Sequence, residues 1–423
     1  MTWPTGRLSQ LAEAWPSNVD KHSVEGESRV RLCNYTDVYK NDAITESLDF
    51  MVATASEDQI DRFSLKVGDT IITKDSETAD DIGIPAFVSY EAPDLICGYH
   101  LAIVRPIEAA SSRYVYWALR SDFVLRQWSV LASGVTRVAL RRNDVSRVTV
   151  PIPPVEDQQR IADYLDRETA QIDTLIAKQE QLIATLRERR TSAVEHAVLE
   201  GIDPHVPRAG GPDSAPHAPA HWRRARISQI ATLSSGATPD TDNLEFWASP
   251  GDAEATPWVA IGDMSKRDTV THTMKSLTPH GMASKRLTPG EPGTILFAMY
   301  ASVGEVAAVE VPAVWNQAIL GITPDASRLF LRYLFHLLRA LKPFLLRDVR
   351  SNTQSNLNAG QVGGTWIPLP PLDEQERIAT HLDATVSKID TLIAKAERFI
   401  ELSKERRAAL ITAAVTGQID IPA

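Results

Sequence analysis

Two stretches of the chain carry apolar residues at alternating steps of four and three. One runs Ile161, Leu165, Glu168, Ile172, Leu175, Gln179, Leu182, Leu186, Arg189, Ala193. The other runs Ile378, Leu382, Thr385, Ile389, Leu392, Ala396, Phe399, Ser403, Arg406, Leu410. A 3.5-residue period with occasional polar breaks is that of helices paired in a coiled coil. The expected seam is therefore Ile161, Leu165, Ile172, Leu175, Leu182 and Leu186 on one helix, and Ile378, Leu382, Ile389, Leu392, Phe399 and Leu410 on the other. Prolines at 153–154 and 370–371 suit helix starts, and Gly201 and Gly417 suit helix ends. A helix over 155–200 would run roughly 65–70 Å at about 1.5 Å per residue, with a break near 166–169 left open. Neither helix can bury its stripe alone, and each is the natural partner of the other.

The sequence before each helix has a different pattern. Short β-type runs such as "LKVGDTIIT" (65–73), "YHLAIVRPI" (99–107), "TPWVAIGDM" (256–264) and "PGTILFAMYASVG" (292–304) are punctuated by turn residues. Each series ends in a helical tract, at 113–131 and at 328–346. Both blocks read as mixed α/β domains. The segment 201–222, rich in proline and glycine, reads as a linker. The expected organisation is a first domain at 1–150, a helical region at 151–200, a linker at 201–222, a second domain at 223–367 and a second helical region at 368–423.

The two halves are copies. Residues 151–203 align without gaps with 368–420, and 25 of the 53 positions are identical. The match reaches upstream to Thr136/Thr353 and Leu140/Leu357, and a fainter register pairs Asp37, Lys40 and Asp42 with Asp263, Lys266 and Asp268. This is an internal duplication. The linker returns the chain, so the two helices are expected to lie antiparallel.

Composition narrows the function classes. Cys33 and Cys97 are the only cysteines, which leaves no disulfide framework or thiolate cluster and suits a reducing cytoplasm. The start of the sequence lacks a signal-peptide core, and no apolar run approaches the ~20 residues of a membrane span. A net charge of −10 argues, taken alone, against nucleic acid. Charge is uneven, however. Residues 105–147 hold eight arginines against three acids, and 327–350 repeat the trend. These tracts are either solvated helix faces or the footprint of an anionic partner. No phosphate-binding glycine loop, dinucleotide fingerprint or helical pair of zinc-spaced histidines is present.

The "P-x-P-P-[VL]-x-x-Q-x-R-I-A-x-x-L-D" helix starts, the repeated "IDTLIAK", "ERR" and the terminal "G-x-I-D" resemble the conserved regions of the specificity (S) subunit of Type I restriction–modification enzymes. The resemblance covers essentially the whole chain. It implies an α/β (α+β) modular fold, with two mixed α/β target-recognition domains separated by two long helices that form an antiparallel coiled coil in a pseudo-two-fold repeat. It also implies a non-catalytic reader of a split, asymmetric site on double-stranded DNA, docked to two methyltransferase (M) subunits and joined by restriction (R) subunits. No cofactor is expected on this chain; S-adenosylmethionine, ATP and Mg belong to the partner subunits.

Arg and Lys read guanine, Asn and Gln read adenine, and phosphates fix the register. The segments before the proline-tipped helices carry that chemistry: Thr136, Arg137, Arg141, Arg142 and Asn143 in the first half, and Arg350, Asn352, Thr353, Gln354, Asn356 and Asn358 in the second. Lys40, Lys74, Lys266 and Tyr300, in loops after β-type runs, are further candidates for DNA contact. The competing reading of all of these is a polar turn that satisfies its own backbone. Two rival functions are a coiled-coil scaffold whose domains bind proteins, and an enzyme of unrecognised type. The scaffold lacks the salt-dependent DNA affinity that phosphate contacts impose, and the enzyme turns over a substrate without partners.

Overall fold

The computed structural model describes residues 3–265, 267–300, 302–347 and 356–421. It divides into two compact units, Met1–Gln181 with Ala396–Ala423, and Leu182–Lys395. Both long helices form, at Val155–Glu200 without a break and at Leu372–Val415. Each unit takes a sheet domain and a part of both helices.

The sheet domains share a plan. In the first unit a five-stranded sheet has the order Ala12–Pro16, Leu101–Pro106, Thr70–Thr73, Pro85–Val88, Ala43–Ile44. In the second the order is Ala231–Ser235, Ile319–Pro324, Ile295–Ala298, Val306–Val309, Thr269–Val270. Each is antiparallel except for its last, parallel pair. Their strands read as near-continuous apolar runs because both faces are covered. Successive side chains point to opposite faces, so Ala102 and Val104 join the core beneath the helices while Leu101 and Ile103 join the core beneath a second, three-stranded sheet. Ile295 and Phe297 are divided from Leu296 in the same way in the second unit.

A two-stranded ribbon joins each domain to its long helix. Thr5–Arg7 pairs with Thr149–Pro151, and Arg223–Arg226 pairs with Trp366–Leu369. One helix of each domain, Ser112–Arg120 or Leu331–Ala340, then docks on the long helix through the same set of bonds. Gln158 accepts the Ser111 N–H at 3.0 Å and donates to the Pro153 carbonyl at 3.0 Å. Gln375 does the same with Phe330 at 2.7 Å and Pro370 at 2.8 Å. The Tyr114 hydroxyl donates to the Pro151 carbonyl and the Tyr333 hydroxyl to that of Pro368. Arg113 pairs with Asp166, where the Trp117 indole also donates; Arg332 pairs with Asp383, beside His336. Arg120 pairs with Asp42 and Arg339 with Asp268, each at 2.6 Å. The identical glutamines and aspartates of the helix repeat are thus docking groups.

His336 stands where the first unit has Trp117. Burial pulls its pKa below the ordinary 6.5, against the pull of Asp383. The unfolded chain then takes up a proton near pH 6.5 that the folded one resists, so this contribution to stability is complete above that pH and is lost as the pH falls below it. The unfolding free energy of the second unit, measured by urea titration, should fall on acidification from pH 7 to 5.5, and His336→Phe should flatten that slope.

Within each unit the long helices run antiparallel. In the first, Ile161 and Leu165 share a core with Ile411, Ala414 and Val415, and Arg407 grips Asp173 at 2.9 Å and Asp42 at 2.7 Å. In the second, Val194, Ala197 and Val198 share a core with Ile378 and Leu382, and Arg190 grips Asp390 at 2.9 Å. Arg190 and Arg407 are the same repeat position, as are Asp173 and Asp390.

The seam departs from the expected stripe at alternate steps. Ile161, Leu165, Ile172, Leu186, Ile378, Leu382 and Ile389 are buried, and Leu410 packs half-buried on the first unit's core. Leu175, Leu182, Leu392 and Phe399 are instead exposed, at 46%, 44%, 50% and 42%. The inward positions are their neighbours Ile176, Ile183, Ile393 and Ile400, of which Ile183 is buried and the others half-buried. Each site offers two adjacent apolar residues about 100° apart around the helix, and a 4-3 stepping pattern cannot choose between them.

The segment 201–222 is an ordered loop, not an open tether. Arg208 bridges Pro219, the Ala209 N–H meets the Ala218 carbonyl, and the Ala220 N–H meets that of Pro207. Ala215 and Ala218 are buried, and the Ser214 hydroxyl donates to the Trp366 carbonyl at 2.6 Å.

Candidate nucleic-acid interface

In the first unit the polar segment before the long helix is a tight hairpin. Ser133 and Ala139 exchange backbone hydrogen bonds, and a Cβ on Gly134 would lie 1.9 Å from the Arg137 carbonyl oxygen, so only glycine fits there. Val138–Ala139 pairs with Asp75–Ser76, and the N–H of buried Leu140 bonds to the Lys74 carbonyl at 2.8 Å. The turn residues Val135, Thr136 and Arg137 are exposed. Arg141, Arg142 and Asn143 are also exposed, at the start of the short helix Arg142–Arg147.

Arg137 closes one side of an open cup of about 410 Å³. Its lining includes Tyr35 and Tyr39, stacked with centroids 5.4 Å apart. Burial raises the Tyr35 pKa, and the Asp81 carboxylate that accepts the Tyr39 hydroxyl at 2.7 Å raises that of Tyr39. Both remain phenols at neutral pH. On the rim, Arg137 approaches His100 Nε2 at 3.4 Å, and His100 Nδ1 lies 2.7 Å from the buried Asp75 carboxylate, which also holds Lys74 at 2.7 Å. Lys74 and Arg137, 63 positions apart in sequence, are thus linked through Asp75 and His100, with Arg137 and not Lys74 lining the cup. Lys40 is exposed at the end of the short helix Tyr35–Tyr39. Sequence reasoning missed Tyr35, Tyr39, Asp75 and His100, which no local pattern connects.

The second unit builds the same anchor. The Leu357 N–H bonds to the Met299 carbonyl at 2.9 Å, and the Met299 N–H bonds to the Ala318 carbonyl, as Lys74 does to His100. Tyr300, 36% exposed, therefore stands at the position of Asp75. Asn356 is exposed, and the Asn358 side chain caps the helix Ala359–Gly364 by accepting the Gln361 N–H at 2.9 Å. Lys266, Arg350, Asn352, Thr353 and Gln354 lie outside the described residues.

The basic tracts are largely occupied in structure. Arg105, Arg113, Arg120, Arg332 and Arg339 each bind a carboxylate, whereas Arg137, Arg141 and Arg142 carry no ion pair among the described residues. The aspartates of the faint second register are structural too: Asp37 and Asp263 cap short helices, and Asp42 and Asp268 hold the docking arginines.

The family model described as the Type I restriction modification DNA specificity domain matches the chain twice, at residues 3–184 and 219–401. The chain belongs to this family. Among curated relatives, it is 25% identical over 200 residues to the Type I restriction enzyme EcoBI specificity subunit of Escherichia coli. That alignment covers 47% of this chain and 39% of the relative, so it spans well under half of that protein. It is 20% identical over 376 residues to the putative type I restriction enzyme MjaX specificity subunit of Methanocaldococcus jannaschii, covering 88% and 83%. The fold matches that of the HsdS subunit from Thermoanaerobacter tengcongensis, with a TM-score of 0.58, 18% identity and coverage of 99% and 97%. It also matches a chain from work on complex assembly and conformational transition of the type I R-M system, with a TM-score of 0.72, 19% identity and coverage of 99% and 98%. Specificity subunits of this family are non-catalytic, and catalysis lies on their partners. No described helix is long and apolar enough to cross a membrane.

Proposed function

We infer that this chain is the DNA-reading subunit of a cytoplasmic Type I restriction–modification complex. Its two sheet domains read the two halves of a split, asymmetric site, and its paired helices dock two M subunits, with R subunits joining that assembly. S-adenosylmethionine, ATP and Mg would be held by those partners. The observation that carries this reading is the duplication. One scaffold, with the same sheet order, docking bonds and leucine anchor, presents Thr136, Arg137 and Arg141–Asn143 in one copy and Asn- and Gln-rich sequence in the other. Identical scaffolds with unlike reading residues are what two different half-sites require.

Methylome sequencing of a host with and without the chain should show a split motif that loses methylation when the chain is absent. Replacing residues 25–150 with those of a relative of different specificity should then change one half of the motif and leave the other half and the spacer fixed. A graft that altered both halves, or neither, would refute divided recognition. If the assembled complex showed no salt-dependent DNA affinity, the protein-binding scaffold would be favoured instead.

A further inference from the structure

We propose that the cup at Arg137 reads a guanine in the half-site of the first domain, with Arg137 as the base-contacting group and His100 as its positioning residue. The inference rests on the DNA-reading assignment and gives it a base identity. Arginine has only donors, so at the 3.4 Å contact His100 Nε2 must be the acceptor. The proton is then on Nδ1, which donates to Asp75 at 2.7 Å. Asp75 is itself held by the Lys74 ammonium and by the strand pairing of Asp75 with Ala139. A chain of hydrogen-bonded groups therefore orients one arginine in a hairpin that the Ser133–Ala139 backbone bonds close and that admits no Cβ at Gly134. One guanidinium nitrogen is engaged by His100, which leaves the other donors of the group for a ligand.

The surroundings distinguish a base from a phosphate. Asp75, Asp81 and Glu77 line the same cup; with Asp75 paired to Lys74, the two remaining carboxylates outweigh the one charge of Arg137 and disfavour an anionic backbone. A neutral base edge suffers no such penalty. Among the bases, guanine alone presents two acceptors, O6 and N7, to a pair of parallel donors; adenine places its N6 donor against them, and thymine offers a single acceptor. Arg105, Arg113 and Arg120 in the same domain are already neutralised by carboxylates and could not serve in its place.

The test uses the full chain assembled with its methyltransferase partner. The methylated motif is read by sequencing, and the half belonging to the first domain is identified by the graft above. Competition binding then compares duplexes carrying the motif with duplexes altered at single base pairs. Arg137→Ala should lower discrimination about 5- to 150-fold at one G·C pair of that half-site and leave every other position unchanged. His100→Phe, which removes the acceptor, should weaken discrimination at the same pair, and His100→Gln, which restores one, should recover part of it. A purely structural role for His100 would show no such base-specific pattern. Unchanged discrimination at every G·C pair in Arg137→Ala, or a loss confined to an A·T pair, would overturn the proposal. If the wild-type complex shows no sequence preference at all, it is the functional reading that fails.

Discussion

Aspartate at Ile172 should destabilise the first unit by about 3–5 kcal/mol, while aspartate at Leu175, three residues on, should cost within about 1 kcal/mol. Ile172 is buried in the helix pair and Leu175 is 46% exposed. A carboxylate at 172 loses its water inside the helix pair, whereas one at 175 stays hydrated. The second unit repeats the contrast at Ile389, which is buried, and Leu392, which is 50% exposed. Urea unfolding followed by far-ultraviolet circular dichroism of the four variants measures it. Equal losses at Ile172 and Leu175 would show that the seam runs along the stripe read from the period alone.

Gln375→Ala should cost the second unit about 3–5 kcal/mol, because each polar group left unpaired inside costs about 1–3 kcal/mol. Gln375 is fully buried and serves three backbone groups: the Phe330 N–H, the Pro370 carbonyl and, at 3.0 Å, the Arg328 carbonyl. Gln158, its counterpart, serves the Ser111 N–H and the Pro153 carbonyl. Gln158→Ala should therefore be the milder substitution, with Gln159→Ala on the exposed face near neutral. Loss of the docking bonds also frees the domain from its helix, so limited proteolysis near 330 should quicken in Gln375→Ala. A stability change below about 1 kcal/mol would mean that water replaces the glutamine and that the docking does not depend on it.

The period-3.5 stripes, the prolines at 153–154 and 370–371 and the glycines at 201 and 417 were enough to place both long helices, because these signals act between residues a few positions apart. The duplication was legible for the same reason, since identity along the chain needs no fold to be seen. Its meaning was less so. Asp166, Asp383, Gln158 and Gln375 are conserved between the copies, yet nothing along the chain says that they receive an arginine or a backbone N–H from a helix more than forty positions away.

What depended on tertiary structure has that character throughout. The choice of Ile183 over Leu182 for the seam belongs to the partner helix and the docked domain, which select one of two adjacent apolar residues. The arginine tracts divide into paired and unpaired members only when Asp42, Asp69 and Asp166 arrive from other elements. A proline- and glycine-rich segment reads as a tether until Ser214 finds the carbonyl of Trp366. The cup at Arg137 draws on the helix Tyr35–Tyr39, the strand pair at Asp75 and the turn before His100, three places the chain alone does not connect. Sequence by itself determined the elements, their order and their twofold repetition, because those follow from local spacing. Which side chains are spent on holding the fold and which are left to meet a ligand was decided by the contacts between distant segments, because a charge is neutralised or left bare only by what packs against it.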